Sequence, residues 1–383
     1  MNQLKYFLIN LFETMFRGIS IPGKTGLIKL GNPNAGSPVF LTCNYHLTVA
    51  RVKQALQHID CYLLIANSHG RNVWCGSTGG HLNNHHVISV LKTSGIEALI
   101  NHKKLIVPQL AAAGIEAIVI HKKTGWRIIW GPVYAKDIPY FLRNKQQKTE
   151  EMRKVKFDFV QRIEMTVMWA FPFSLIVALI TSLFWQEMTW PLTGFIWGLT
   201  TVIFLLFPLY SKWINPKKKG TQFSRYTVVF DFGRTPVILW TAFMVCLLTY
   251  GILTHSLTTG FFLRWSFISL VIILLISLDL AGSTPVYKSG LHEDRFLDIK
   301  IDKEKCKGAG FCEQVCPKNC YQVDHRNHTA SIVRADDCVQ CGACIVQCPF
   351  DALYFKGKKD EIVTPGQIRK YKLNLMGKRM VKI

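Results

Sequence analysis

Cys338-Val-Gln-Cys341-Gly-Ala-Cys344-Ile-Val-Gln-Cys348-Pro349 follows the spacing C-x2-C-x2-C-x3-C-P residue for residue. The close triplet lets three thiolates wrap one iron–sulfur cube, and the fourth cysteine, just before the proline, reaches a neighbouring cluster. A zinc ribbon also pairs cysteines, but two interleaved four-cysteine runs are not its pattern. Eight of the twelve cysteines lie between Cys306 and Cys348 at metal-ligand spacing, which points to a reducing compartment rather than a disulfide framework.

The upstream run, Cys306-Lys-Gly-Ala309-Gly-Phe-Cys312-Glu-Gln-Val-Cys316-Pro317, has alanine where the second ligand belongs. By the cross-over rule Cys316 joins Cys338, Cys341 and Cys344 around a complete 4Fe-4S cluster. Cys306, Cys312 and Cys348 remain for the other site. The C-x-G-x-G-x-C form resembles ferredoxins that hold a 3Fe-4S cluster, so this site is expected to hold a 3Fe-4S or an incomplete second 4Fe-4S cluster. Cys320 is near enough in sequence to substitute for the missing ligand, against the plainer reading of a buried thiol.

The 383 residues leave room for two or three domains, and with 49% apolar residues a buried core is assured. The net charge of +22 would suit an anionic partner, but no nucleic-acid motif accompanies it, and basic loops beside a membrane give the same total. Four apolar runs, about 163–185, 191–211, 236–255 and 261–280, each approach the ~20 residues that cross a hydrocarbon core. The loop from Lys212 to Arg234 is rich in Lys and Arg, whereas the connections QEMTW and SLTTG have none. That asymmetry puts the loop in the cytoplasm and, after four crossings, both flanking domains with it. Arg264, near the outer end of the fourth run, is placed to snorkel to the interface.

Upstream, residues 38–143 alternate strand-like runs (PVFLTC, CYLLIAN, EAIVIHK, RIIWGPV) with helical ones (TVARVKQALQHI, DIPYFLR), as an α/β domain requires. The expected organisation is an amphipathic N-terminal segment at 1–30, read either as lying on a membrane surface or as a docking helix, then an α/β domain at 31–160. A four-helix transmembrane domain at 161–285, an α+β bacterial dicluster ferredoxin-like domain at 295–358 and a basic tail at 359–383 follow.

After CYLLIAN comes Asn72-Val73-Trp74-Cys75-Gly76-Ser77-Thr78-Gly79-Gly80, with His81, His85 and His86 close behind. The residues allow several readings. Glycines after a strand let backbone approach a bulky or phosphate-bearing ligand. A thiol near a helix N-terminus tends toward thiolate, and so toward nucleophile or metal ligand. Cys75 with His81 and His85 would make a zinc site, and a buried cysteine beside Trp74 needs no function at all.

The stretch 38–142 resembles the corrinoid domain of the mercury-methylating protein family (HgcA-like), itself related to the corrinoid iron–sulfur protein of acetyl-CoA synthesis. The matching pieces are Thr42-Cys43-Asn44-Tyr45, Asn72-Val73-Trp74-Cys75, the run from His102 to Leu110, Gly131-Pro132-Val133, Asp137 to Leu142 and Glu151 to Val155. The likeness continues to Gly282-Ser283-Thr284, and the C-terminal part resembles that family's ferredoxin partner (HgcB-like), fused here to the same chain. The resemblance implies a corrinoid of cobalamin type with Cys75 as lower axial cobalt ligand and catalytic residue. Thr42, Asn72, Val73, Trp74, Gly76, Ser77, Gly79 and Gly80 would then line the cofactor. Thiolate donation favours releasing the methyl group to a soft acceptor, with thiolate-bound Hg(II) one candidate, while the ferredoxin returns cobalt to Co(I). The implied partners are membrane lipid, a corrinoid methyl donor protein, an electron donor and the acceptor. The family motif has lysine at the position of Gly79, so the acceptor stays open. An iron–sulfur electron-transfer subunit of the membrane, without corrinoid catalysis, is the alternative from a different class.

Overall fold

The computed structural model describes residues 3–211, 235–283, 297–357, 360–374 and 377–380. The chain divides into two compact units, Met1–Val155 with Leu297–Ile383, and Lys156–Phe296. The expected basic loop from Lys212 to Arg234 lies outside the described residues.

In the first unit the chain runs through α1 (Gln3–Met15), β1 (Gly26–Leu30), β2 (Val39–Cys43), α2 (His46–Ala55), β3 (Cys61–Ala66), α3 (Val73–Thr78), α4 (Asn84–Thr93) and β4 (Lys104–Pro108). A 3-10 turn, Gln109–Ala113, leads to α5 (Ala117–Thr124), β5 (Arg127–Gly131), α6 (Ile138–Arg143) and α7 (Glu150–Arg153). The strands form one sheet in the order β1-β3-β2-β4-β5, with only β1 antiparallel. Strand residues are apolar on both faces because both are covered. Val39, Leu41, Leu64 and Val107 face a core with α4 and α5, while Phe40, Leu63, Ile65 and Ile106 face one with α2 and α6.

Two expectations are corrected here. EAIVIHK forms helix α5 rather than a strand: Ile120 is buried while Ile118 is 46% exposed, and left-handed Gly125 ends the helix. A short apolar run carries no periodicity that separates the two. The N-terminal helix α1 packs on α2, as a docking helix would, and β1 pairs with β3, so the α/β domain begins before the expected residue 31.

The second unit holds α8 (Phe159–Phe184), α9 (Thr189–Leu205) with a 3-10 turn at Gln186–Met188, short α10 (Phe207–Tyr210), α11 (Thr235–Leu253) and α12 (Thr259–Ser283). Met165, Leu199, Ile203, Phe204 and Ile273 are buried between them, with Leu239 and Phe243 packed alongside. Leu179, Leu183, Phe184, Trp190 and Phe267 point outward instead. Residues 159–184 and 186–205 are long and apolar enough to cross a bilayer; Val237–Leu253 and Thr259–Leu275 are shorter apolar stretches. Arg264 lies over the Trp185 ring, 5.2 Å from its centre.

The C-terminal part of the first unit contains β6 (Asp298–Ile301), α13 (Phe311–Val315), a hairpin of β7 (Tyr321–Asp324) and β8 (Thr329–Ile332), α14 (Ala343–Gln347), β9 (Leu353–Lys356), β10 (Ile362–Val363), α15 (Pro365–Lys370), β11 (Tyr371–Asn374) and β12 (Gly377–Met380). The two cysteine runs fold alike: left-handed Gly310 opens α13 and left-handed Gly342 opens α14, a conformation glycine adopts without steric cost. The segment expected to be a tail from residue 359 folds back. β10 pairs with β9, and Ile368 of α15 enters the core around the cysteines because apolar residues recur among the lysines.

Candidate functional site

The parallel strands leave β2 in opposite directions, to β3 on one side and to β4 and β5 on the other. A crevice at the carboxyl ends of such a switch point is where α/β sheets take their ligands. The segments after β3 and β4, namely α3 and the turn Gln109–Ala113, pack on each other there.

Asn44, just past β2, sets the approach to α3: its Oδ1 accepts hydrogen bonds from Ser68 N (2.8 Å), Ser68 Oγ (2.9 Å) and Gly70 N (3.0 Å). Asn72 then caps α3, its Oδ1 accepting from Cys75 N at 2.8 Å. The helix buries Val73, Gly76 and Ser77 and leaves Cys75 exposed, with Asn72, Trp74, Gly79 and Gly80 half-buried at its rim. Thr42 is buried at the end of β2. Ser77 Oγ is buried with no hydrogen-bond partner. An outward thiol on a helix anchored by its opposite face can serve as a metal ligand, so Cys75 and its half-buried neighbours fit a corrinoid, whereas Val73, Gly76 and Ser77 lie on the anchoring face.

His81 and His86 stack edge-on against His69, ring centres 5.4 and 5.6 Å apart, with His85 5.6 Å from His86. Burial, with His69 and His85 adding, lowers the His86 pKa. Among the described residues no three His, Cys, Asp or Glu side chains are gathered tightly enough for a single metal ion, so the zinc reading of Cys75 with His81 and His85 lacks its geometry.

The cluster cysteines fall into two groups. Cys341 is pushed up to about 12 by burial, with Cys316 and Cys338 adding, and Cys344 is raised by burial, then by Cys341, Cys338 and Cys316. Cys341 and Cys344, whose ionisation burial and their neighbours oppose, would be stabilised as thiolates by a cationic core among the four. The hydroxyl of Tyr321 donates to Cys344 Sγ (3.0 Å), and Gln340 N to Cys338 Sγ (3.4 Å). Cys306, Cys312 and Cys348 line a separate cavity with Gly308, Ala309 and Gly310. Burial, with Cys306 and Cys348 adding, pushes Cys312 up to about 12. Cys320 does not join that cavity. Its backbone N donates to Cys316 Sγ (3.3 Å), and its thiol hydrogen-bonds Cys316, lowering the Cys316 pKa, so it supports the complete group.

The turn Gln109–Ala113 touches α3 on one side and α14 and α13 on the other. Val315 and Ala343 are buried in the core of the α/β sheet, and Cys341 packs against it. Gln347 Nε2 donates to Ala112 O (2.7 Å) and Ile115 O (2.5 Å). Lys148 Nζ donates to Gln109 Oε1 (2.6 Å) and Gln314 O (2.8 Å), and burial there lowers its pKa well below the ordinary lysine value, with Arg153 adding. Gly114 makes the approach to α3 feasible: a Cβ there would lie 2.2 Å from Leu82 O and 2.9 Å from Ser77. Sequence reading missed Gly114, Lys148 and Gln347; for Gly114 the signal was a lone glycine after three alanines, while the other two carried none.

Residues 19–142 match the protein family described as CO dehydrogenase/acetyl-CoA synthase delta subunit, and residues 305–352 match the 4Fe-4S dicluster domain. The acetyl-CoA decarbonylase/synthase complex subunit gamma of Methanothermobacter thermautotrophicus is 37% identical over 119 residues, 30% of this chain and 26% of that protein. The subunit gamma of Methanocaldococcus jannaschii is 33% identical over 125 residues (32% and 25%), and that of Methanopyrus kandleri 33% over 122 residues (31% and 26%). The chain thus spans about a quarter of the length of these curated relatives. These matches bear out the relation of the α/β domain to the corrinoid iron–sulfur protein of acetyl-CoA synthesis and of the C-terminal part to dicluster ferredoxins, and they carry the resemblance no further.

Proposed function

We propose that the chain is a membrane-held corrinoid methyl-transfer protein that carries its own electron input. One observation carries this reading: the helix bearing Cys75 and the helices bearing the cluster cysteines pack on the same turn, Gln109–Ala113. In this reading Cys75 is the lower axial ligand to cobalt, Asn72 fixes the turn that presents it, and Thr42, Trp74, Gly79 and Gly80 line the cofactor, while Val73, Gly76 and Ser77 hold the helix from its buried face. When bound, the corrinoid supplies a metal that takes up and gives away a methyl group. Cys316, Cys338, Cys341 and Cys344 hold a 4Fe-4S cluster, and Cys306, Cys312 and Cys348 a 3Fe-4S cluster. The four apolar helices cross the membrane and keep both cofactor domains in the cytoplasm. The acceptor is soft, with thiolate-bound Hg(II) one candidate. Metal analysis of the purified full chain tests the reading: cobalt with iron is expected, and iron without cobalt after corrinoid reconstitution would leave only an electron-transfer subunit.

A further inference from the structure

Helix α1 is mounted inside out. The polar residues of its C-terminal half face the domain: Glu13 and Thr14 are buried, Glu13 pairs with His46, and Arg51 donates to Asn10 Oδ1 at 2.9 Å and to Thr14 Oγ1 at 3.4 Å. Most of its apolar residues face outward, with Tyr6, Ile9 and Met15 half-buried. Phe7, Leu8, Leu11 and Phe12 are 60, 55, 47 and 58% exposed, and Ile19 just beyond the helix is 59% exposed. These helix positions recur at the three- and four-residue steps that make one face. A helix that serves only its own domain would bury this face and expose the other.

We propose that the outward face of α1 lies in a phospholipid bilayer, parallel to its surface, as a second point of membrane attachment for the α/β domain. The proposal rests on the reading of the apolar helices as membrane-spanning, which puts a bilayer within reach of the same chain. Charge agrees with lipid rather than with a basic partner: the helix has a single acid, Glu13, which is turned inward, and Lys5 is exposed beside the apolar face, where it can meet lipid phosphates. Large apolar residues flanked by a basic one are the composition of a helix that rests at the headgroup boundary. The Glu13–His46 contact and the Arg51 hydrogen bonds fix the rotation of the helix, so the domain presents the face already formed.

The test uses the full chain in native membranes with the photoreactive residue p-benzoylphenylalanine replacing Phe7, Leu11 or, as a control, the 46% exposed Ile118 of α5. Membranes are illuminated and washed with carbonate, and peptides are examined by mass spectrometry. Phospholipid adducts are expected at positions 7 and 11, at least tenfold above position 118. A chain that resists carbonate but gives no lipid adduct at 7 and 11, equal labelling at all three positions, or cross-links from 7 to a second protein would overturn the proposal. A chain released by carbonate would instead overturn the membrane-spanning reading on which it rests.

Discussion

Gly114 and Ala309 are the single residues on which the two proposed cofactor sites turn. Gly114→Ala would drive a methyl group into Leu82 O and Ser77, both backbone-bound, so α3 must shift. The expected cost is about 1–3 kcal/mol in chemical unfolding of the chain, typical of overpacking, with impaired presentation of Cys75. Ser77→Ala, which removes a hydroxyl already without a partner, is the contrasting change and should cost far less. At the second site Ala309→Cys adds a thiol to the cavity of Cys306, Cys312 and Cys348. The oxidised protein should then lose the paramagnetic signal of a three-iron cluster and gain a second four-iron one; four-iron clusters at both sites of the unaltered chain would contradict the assignment. The division of these cysteines into two groups was legible because their spacing is local in the chain. Cys320 was not, because the turn at left-handed Asn319 aims it at Cys316 rather than toward Ala309.

Among elements, the turn Gln109–Ala113 matters most, since it joins the helix of Cys75 to the helix that ends at Gln347. Gln347 satisfies two carbonyls of this region, and Ala117 N donates to its Oε1 at 3.3 Å. Gln347→Ala strands those groups at a buried junction, at about 1–3 kcal/mol. Hydrogen exchange should rise in residues 109–117 and 311–315 while the strands of the parallel sheet keep their protection; unchanged exchange would mean the junction is held by the Lys148 and apolar contacts alone. Little of this junction was legible. Polar residues that bridge two domains look like any surface glutamine or lysine, whereas the strands PVFLTC and CYLLIAN declared themselves through apolar runs ended by Asn. The α5 segment misled for the same reason that those strands did not: eight residues are too few for a helical period to appear.

At the scale of the whole molecule, the four apolar helices share one core, and two of them meet the length and apolarity of a membrane span. If all four cross, both termini lie on the same side, and the basic loop makes that side the cytoplasm. A reporter fused after Ile383 should be active only in the cytoplasm, and periplasmic activity would contradict four crossings. The apolar runs were legible from composition, as was the α/β alternation. That one unit combines the sheet domain with the cluster domain, some 150 residues further along the chain, was not, because no local pattern encodes such a return.

Cys75 is proposed to hold the cobalt, and the absorption spectrum of the bound corrinoid tests that role most directly. Recorded side by side for the unaltered chain and Cys75→Ala, the spectra should differ, because the alanine protein has lost its thiolate donor while α3, whose buried face is untouched, stays folded. Cys75→His should bind corrinoid with a third, distinct spectrum, since imidazole is a competent ligand but a weaker donor. Identical spectra for the unaltered chain and Cys75→Ala would contradict the assignment.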